Sequence, residues 1–182
     1  DKTNKVFLTV ENTLIGSNNL CLKSIDSLCK KKKINSKIWK NNIEGDVQII
    51  AKNFVQDLKK KNYKKPIILI SGGESTVKIK GTGKGGRNQE FALHFLKNIR
   101  KSFSNLEFTL LSAGTDGRDG PTNAAGAIVN HKSLDLIINK KINLEKELEN
   151  NNSYQVLKKI DSVVIIKGTN TNVADIQLLM IN

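Results

Sequence analysis

Pro66-Ile-Ile-Leu-Ile-Ser-Gly-Gly-Glu-Ser-Thr-Val-Lys-Ile-Lys80 decides how the rest of the chain is read. Residues 66–71 are apolar without alternation, the mark of a strand covered on both faces. Gly72-Gly73 then interrupts the run, and Thr76-Val-Lys-Ile-Lys80 alternates as a half-exposed strand does, so two strands joined by a tight turn are predicted. A strand buried on both sides needs helices around it, and the flanking sequence supplies them. On the N-terminal side, Lys5-Val-Phe-Leu-Thr-Val10 and residues 34–40 read as strands. Each precedes a helical stripe: Cys21, Ile25, Leu28 and Cys29 after the first; Val47, Ile50, Ala51, Phe54, Val55 and Leu58 after the second. Strand, helix, strand, helix implies parallel pairing. On the C-terminal side, residues 88–99 predict a helix with Phe91, Ala92, Phe95, Leu96 and Ile99 inward. Strands follow over 106–113 and 124–129, then two helical stretches and strands over 162–166 and 176–181. The expected fold is α/β: strand-helix units of a parallel or mixed sheet, helices on its faces, glycine-rich loops at strand ends. A boundary at residues 62–65 divides it into segments 1–65 and 66–182.

The 182 residues are 38% hydrophobic and 26% charged, ordinary for a folded globular chain. The longest apolar runs have about five residues where about 18 are needed to cross a bilayer, so a membrane-spanning helix is not expected. No basic segment followed by an apolar core opens the chain, and no secretory leader is read. Cys21 and Cys29 would share one apolar helix face as reduced thiols, which fits a reducing cytoplasm; no metal-ligand spacing exists. A net charge of +13 invites a nucleic-acid partner. Yet 27 of the 30 basic residues are Lys, accompanied by 22 Asn and 21 Ile, a trio that follows from AT-rich codons. The lysine runs 30–33 and 59–61 fall at helix C-termini, where cations are favourable and stay solvated. One Trp and two Tyr, none interleaved with lysines, provide no stacking platform, so specific nucleic-acid binding is not expected.

Ten of the thirteen glycines lie between Gly72 and Gly126, and three segments there are dense in them: residues 71–76, 81–90 and 114–122. Successive backbone N–H groups in such loops form concave anion sites, above all where a loop opens a helix. The expected phosphate or substrate contacts are Gly72, Gly73, Glu74 and Ser75; Gly83, Gly85, Gly86 and Asn88; and Thr115 and Asp119. Arg is scarce, and two of the three, Arg87 and Arg118, lie in these loops. A guanidinium grips phosphate or carboxylate with two donors, which Lys does not copy. The bland alternative makes Arg87 a loop cap and Arg118 an exposed turn residue. Asp116 and Asp119, three apart at a strand end, suit Mg²⁺ or a hydroxyl proton, although Asp-Gly is also a common turn dipeptide. Glu74 reads more simply as a cap than as an acid catalyst. His94 and His131 have no partners at ligand or triad spacing and read as surface residues.

Gly81, Gly83 and Gly86 satisfy G-x-G-x-x-G, with Glu107 about 20 residues on. The preceding strand is exposed, however, and Glu107 would open the next strand instead of closing it. Walker A fails too, because Arg87-Asn88 stand where Lys and Ser or Thr are required. No G-x-S-x-G is present.

Four ordered stretches carry a family resemblance: Ser71-Gly-Gly-Glu-Ser-Thr-Val77, Gly83-Lys-Gly-Gly-Arg-Asn-Gln-Glu90, Ser112-Ala-Gly-Thr-Asp-Gly-Arg-Asp-Gly-Pro-Thr-Asn-Ala-Ala-Gly126 and Thr171-Asn-Val-Ala-Asp175. Together they resemble the MOFRL domain, the C-terminal part of type II glycerate kinases, also catalogued as hydroxypyruvate reductases of tartrate utilisation. The resemblance covers residues 66–180; residues 1–65 resemble the tail of that family's N-terminal Rossmann-like domain. The closing stretch departs by lacking Pro after Gly168. The resemblance implies a kinase using ATP and Mg²⁺ to phosphorylate D-glycerate at the 2-hydroxyl, with Arg87 and Asp116 catalytic and Asp116 a metal ligand. It also implies that the rest of the N-terminal domain is missing from a chain that starts at Asp1, leaving a fragment inactive by itself. A homodimer stays open. The rival readings are a hydroxypyruvate reductase and a basic nucleic-acid module.

Overall fold

The computed structural model describes residues 9–182, so the strand expected over residues 5–10 lies, but for Thr9 and Val10, outside them. The described elements are α1 (Asn18–Lys31), β1 (Ser36–Asp46), α2 (Val47–Lys59), β2 (Ile67–Thr76), α3 (Arg87–Ser102), β3 (Phe108–Gly114), β4 (Gly126–Asn130), α4 (Ser133–Asn139), α5 (Leu144–Glu149), α6 (Ser153–Lys159), β5 (Val163–Val164) and β6 (Asp175–Ile181). Helix starts follow local chemistry. Ser17 caps α1 by accepting from the Leu20 amide at 3.2 Å, and Asp46 caps α2 by accepting from that of Gln48 at 3.0 Å. The stripe predicted on α2 is buried in full.

One sheet, ordered β1-β2-β6-β3-β4-β5, joins all six strands. Only β1 and β2 run parallel; the other pairings are antiparallel, which makes the sheet mixed. The boundary expected at residues 62–65 therefore lies inside a continuous sheet. β1 pairs with β2 over eight residue pairs, and α2 packs on α3 in one core with both segments. Phe54, Phe91, Phe95 and Phe108 form the aromatic spine of that core, with ring centroids 5.1 to 6.3 Å apart. On the opposite face α1 covers β1 and β2 and only reaches the edge of β6. Cys29 is buried and Cys21 half-buried, both as free thiols.

Gly72-Gly73 is not a turn. β2 runs through it to Thr76, which pairs with Asp46. The pair of glycines serves a close approach of two backbones instead. Gly73 has φ +142°, and a Cβ there would collide with the backbone N and O of Ile43, where β1 is irregular. Gly73→Ala is expected to cost about 3 kcal/mol or more, since backbone cannot step aside as a side chain can; a urea midpoint within error of the parent's would refute the close approach. The second strand expected over residues 76–80 is absent, and residues 77–80 are irregular. The C-terminal region holds three short helices where two were expected.

Candidate functional site

The C-terminal ends of β2 and β3 and the start of β6 share one end of the sheet, and the register places Asp175 between Gly73 on β2 and Gly114 on β3. Asp175 is wholly buried. Arg87, the first residue of α3, grips its carboxylate with two donors, Nε to Oδ2 at 2.6 Å and Nη2 to Oδ1 at 2.9 Å. Its remaining nitrogen, Nη1, stands 3.2 Å from Oε1 of the exposed Glu74. The hydrogen bonds it donates to Asp175 hold the Arg87 guanidinium above its ordinary pKa against the opposing effect of burial. A Cβ placed on Gly114 would lie 3.0 Å from Asp116 Oδ1 and 3.6 Å from Asp175 Oδ1, so both carboxylates converge over that glycine. Asp116 Oδ1 also accepts from the Arg118 amide at 2.9 Å, and the Arg118 side chain is exposed.

The other expected contacts turn inward. Asp119 is 3% exposed and caps α3 from a distant loop: Oδ1 accepts from the Asn88 amide at 3.0 Å, Oδ2 from the Gln89 amide and Gln89 Nε2, both at 2.9 Å. Burial pushes its carboxyl up in pKa, and these donors pull the other way. Gly86 permits this approach, because a Cβ there would strike the Asp119 carboxyl. Asp119 is thus no free ligand beside Asp116, and the Asn88, Gln89 and Glu90 amides in the first turn of α3 are already occupied. Asn88 is buried and accepts from Ser112 Oγ at 2.7 Å. The Thr115 hydroxyl donates to the Ala174 carbonyl at 2.7 Å and accepts from the Val173 amide at 2.9 Å, tying the loop before β6 to the one after β3.

The glycine loop expected to cradle phosphate is a clasp. Asn151 Oδ1 accepts from the Lys80 and Gly81 amides at 2.7 and 3.1 Å, Asn150 Oδ1 from that of Thr82 at 3.0 Å, and Asn152 Oδ1 from that of Lys84 at 3.3 Å. The Gly83 amide donates to the Asn150 carbonyl at 2.9 Å. Side-chain carbonyls thus stand where anion oxygens were expected, and Gly83, Gly85 and Gly86 are small so that residues 150–153 and Asp119 fit against them. Of the expected site residues, Glu74, Arg87 and Asp116 remain at the open end of the sheet; Gly72, Gly73 and Ser75 belong to β2, with Gly72 and Ser75 buried. The sequence reading passed over Asp175 as a contact, although it is the sole charge in an otherwise largely apolar run.

His94 is not at the surface: 9% exposed, it faces a polar groove of about 480 Å³ between α2, α3 and α5 that Glu90 also lines. His131 is half-buried, its Nδ1 without a partner. Burial, with Lys97 nearby, lowers the His94 pKa to about 4. Between pH 6.5 and 4 the unfolded imidazole takes up a proton that the folded one refuses, so stability present above pH 6.5 is lost as pH falls. Glu90, raised by burial, and Asp119 act in the opposite sense. His94→Leu should therefore reduce the acid-side loss by about 2–3 kcal/mol. Urea curves of parent and variant that stay parallel from pH 7 to 4 would contradict a buried neutral imidazole.

The MOFRL family matches residues 67–175, more than half of the chain. The chain belongs to the MOFRL family. The D-glycerate 2-kinase of Thermotoga maritima is 36% identical to this MOFRL chain over 96% of it, and the glycerate 2-kinase of Pyrococcus horikoshii 35% identical over 94%. The crystal structure of Thermotoga maritima glycerate kinase superposes with a TM-score of 0.87 at 35% identity, over 95% of the chain. The chain spans about two fifths of the length of these relatives: 42% of the Thermotoga and 40% of the Pyrococcus enzyme. No helix among the described residues is long and apolar enough to cross a membrane.

Proposed function

We propose that the chain is the C-terminal part of an ATP-dependent glycerate kinase that phosphorylates D-glycerate at the 2-hydroxyl in a reducing cytoplasm. The convergence of Asp116 with the Arg87–Asp175 pair over Gly114, at the open end of the sheet, carries this reading. Phosphoryl transfer needs positioning and charge neutralisation more than covalent help from the protein. Asp116 suits a hydroxyl proton or one Mg²⁺ contact. Among the described residues no three metal-ligating side chains converge, so the ion would rest on one carboxylate and phosphate oxygens, as Mg²⁺ commonly does. ATP would supply the transferred phosphoryl group. Arg118, and Arg87 Nη1 in competition with the exposed Glu74, are the guanidinium donors for anionic groups at this end of the sheet, while the amides at 80–84 are engaged elsewhere.

Alone, residues 1–182 are expected to fold yet to release no ADP above background with glycerate, ATP and Mg²⁺. Joined to the three fifths of the Thermotoga enzyme that the match leaves uncovered, they should turn over. Clear turnover by the isolated chain, or none by the joined protein, would sink the reading. Hydroxypyruvate reduction is the weaker alternative, since the loop resembling a dinucleotide fingerprint gives its amides to residues 150–152; NADH oxidation with hydroxypyruvate would revive it. The basic charge predicts only weak, salt-sensitive duplex DNA binding, and tight sequence-selective binding at physiological salt would restore the nucleic-acid reading.

A further inference from the structure

The sheet has one face too many for the helices that cover it. Along β6 the side chains alternate between the two faces: Leu179 and Ile181 enter the main core, while Leu178 and Met180 point the other way. On that second face the register sets Leu178 opposite Leu111 of β3, which in turn faces Ile128 of β4, and Met180 opposite Ile68 of β2. α1 shields Ile70 completely but stops at β6, leaving Ile128 44% and Met180 40% exposed and the other three half-buried. A strand that meets water on one face carries polar residues there; β6 puts only Ile176, Leu178 and Met180 on this one, as in sheets covered on both sides. The uncovered span from β6 to β4 is two strand spacings, about 10 Å, the width of one α-helix. At its lower end an apolar groove of about 630 Å³ runs from Ile68 and Met180 to Lys33, Lys64 and Lys65. None of these three lysines has an ion-pair partner within the described residues.

We infer that this face receives an amphipathic helix carrying carboxylates at its edge, and that the helix belongs to the polypeptide by which the glycerate kinase relatives exceed this chain. The inference rests on the reading that the chain works with that polypeptide. Size and charge favour this occupant over a second copy, whose identical lysines would meet face to face. The relatives carry about 58–60% of their length beyond the match, room for a further layer. Ile176 of the same strand adjoins Asp175, so the docked layer would also border the open end of the sheet.

The test is thiol labelling on the isolated chain and on a chimera in which the chain replaces the matching part of the Thermotoga kinase. Ile128→Cys and Met180→Cys report on the face; Ile79→Cys, 83% exposed in the irregular segment 77–80 and outside the sheet, is the control. Both face positions should label at least tenfold more slowly in the chimera than in the chain alone, with Ile79→Cys unchanged. Reversing Lys33, Lys64 and Lys65 to Glu should restore labelling at Met180→Cys. Equal labelling rates would overturn the inference. So would protection already present in the isolated chain and growing with concentration, which would assign the face to a second copy. Should the chimera not fold, the intact Thermotoga kinase bearing Cys at the aligned positions gives the same reading. The readout is independent of turnover: protection without kinase activity would sink only the functional reading, and activity without protection only this one.

Discussion

Asp119→Ala is expected to lower the stability of the chain by about 3–5 kcal/mol, several times the effect of an ordinary helix-cap deletion, typically about 1 kcal/mol. The difference comes from burial. A cap at the surface hands its donors to water, whereas here the amides of Asn88 and Gln89 would be left without acceptors inside the protein, and Gln89 Nε2 would keep only Thr122 Oγ1 and the residue 119 carbonyl. Each buried donor so stranded costs about 1–3 kcal/mol. Asp119→Asn keeps one oxygen and should cost less. Asp116→Ala, which removes a half-exposed carboxylate with one local amide contact, should stay within about 1 kcal/mol of the parent. Urea denaturation followed by circular dichroism separates the three; an Asp119→Ala midpoint close to that of Asp116→Ala would show that the buried cap has been misjudged.

The second large effect is at Arg87. Removing it leaves Asp175 charged and wholly buried without its partner, and breaking a buried pair from one side costs about 3–5 kcal/mol. Arg87→Lys keeps the charge but loses the two-donor grip, so it should be milder in stability. It should still lower kcat/KM of the joined enzyme by roughly 10- to 100-fold, about 1.5–3 kcal/mol. Arg87→Met combined with Asp175→Leu should recover most of the lost stability and none of the activity, since apolar replacement of both partners removes the stranded charge. Arg100→Lys is the control: its pair with Asp135 is half-exposed on both sides and should be near neutral. Full activity in Arg87→Lys would remove the guanidinium from the site.

Periodicity carried the helices. The stripe of α2 was legible because it buries a single face against the sheet. On α3 Phe91, Phe95 and Ile99 lie inward as read, but every residue from Asn88 to Leu96 is buried, so the stripe showed only part of what that helix covers. The irregular segments were not legible in the same way. A glycine signals that a side chain is excluded without saying what excludes it: Gly73 makes room for the backbone of Ile43, Gly86 for Asp119, Gly83 for residues 150–152. An anion was the natural guess for each, and in each a group of the protein itself is there. The asparagines that fill the loop could not be singled out among 22, and the hydrogen bonds joining residues 80–84 to 150–152 span about 70 positions. His94 misled because the lack of partners at ligand or triad spacing was read as exposure, whereas packing against α2 and α5 buries it. Asp175 was the readable signal left unused, one charge heading an apolar strand.

β6 lies between β2 and β3 yet follows every other described strand in sequence. During synthesis, therefore, β2 and β3 are made before the strand that separates them, and neither has its inner neighbour until β6 emerges. The sheet can close only by receiving its centre last, and the same event delivers Asp175 to Arg87. A chain cut short by even these seven residues would lack more than an edge. It would keep two unpaired strand borders, the kind of surface that adds strands from other chains. Late insertion of the central strand thus links protection from aggregation to assembly of the carboxylate–guanidinium pair in a single step.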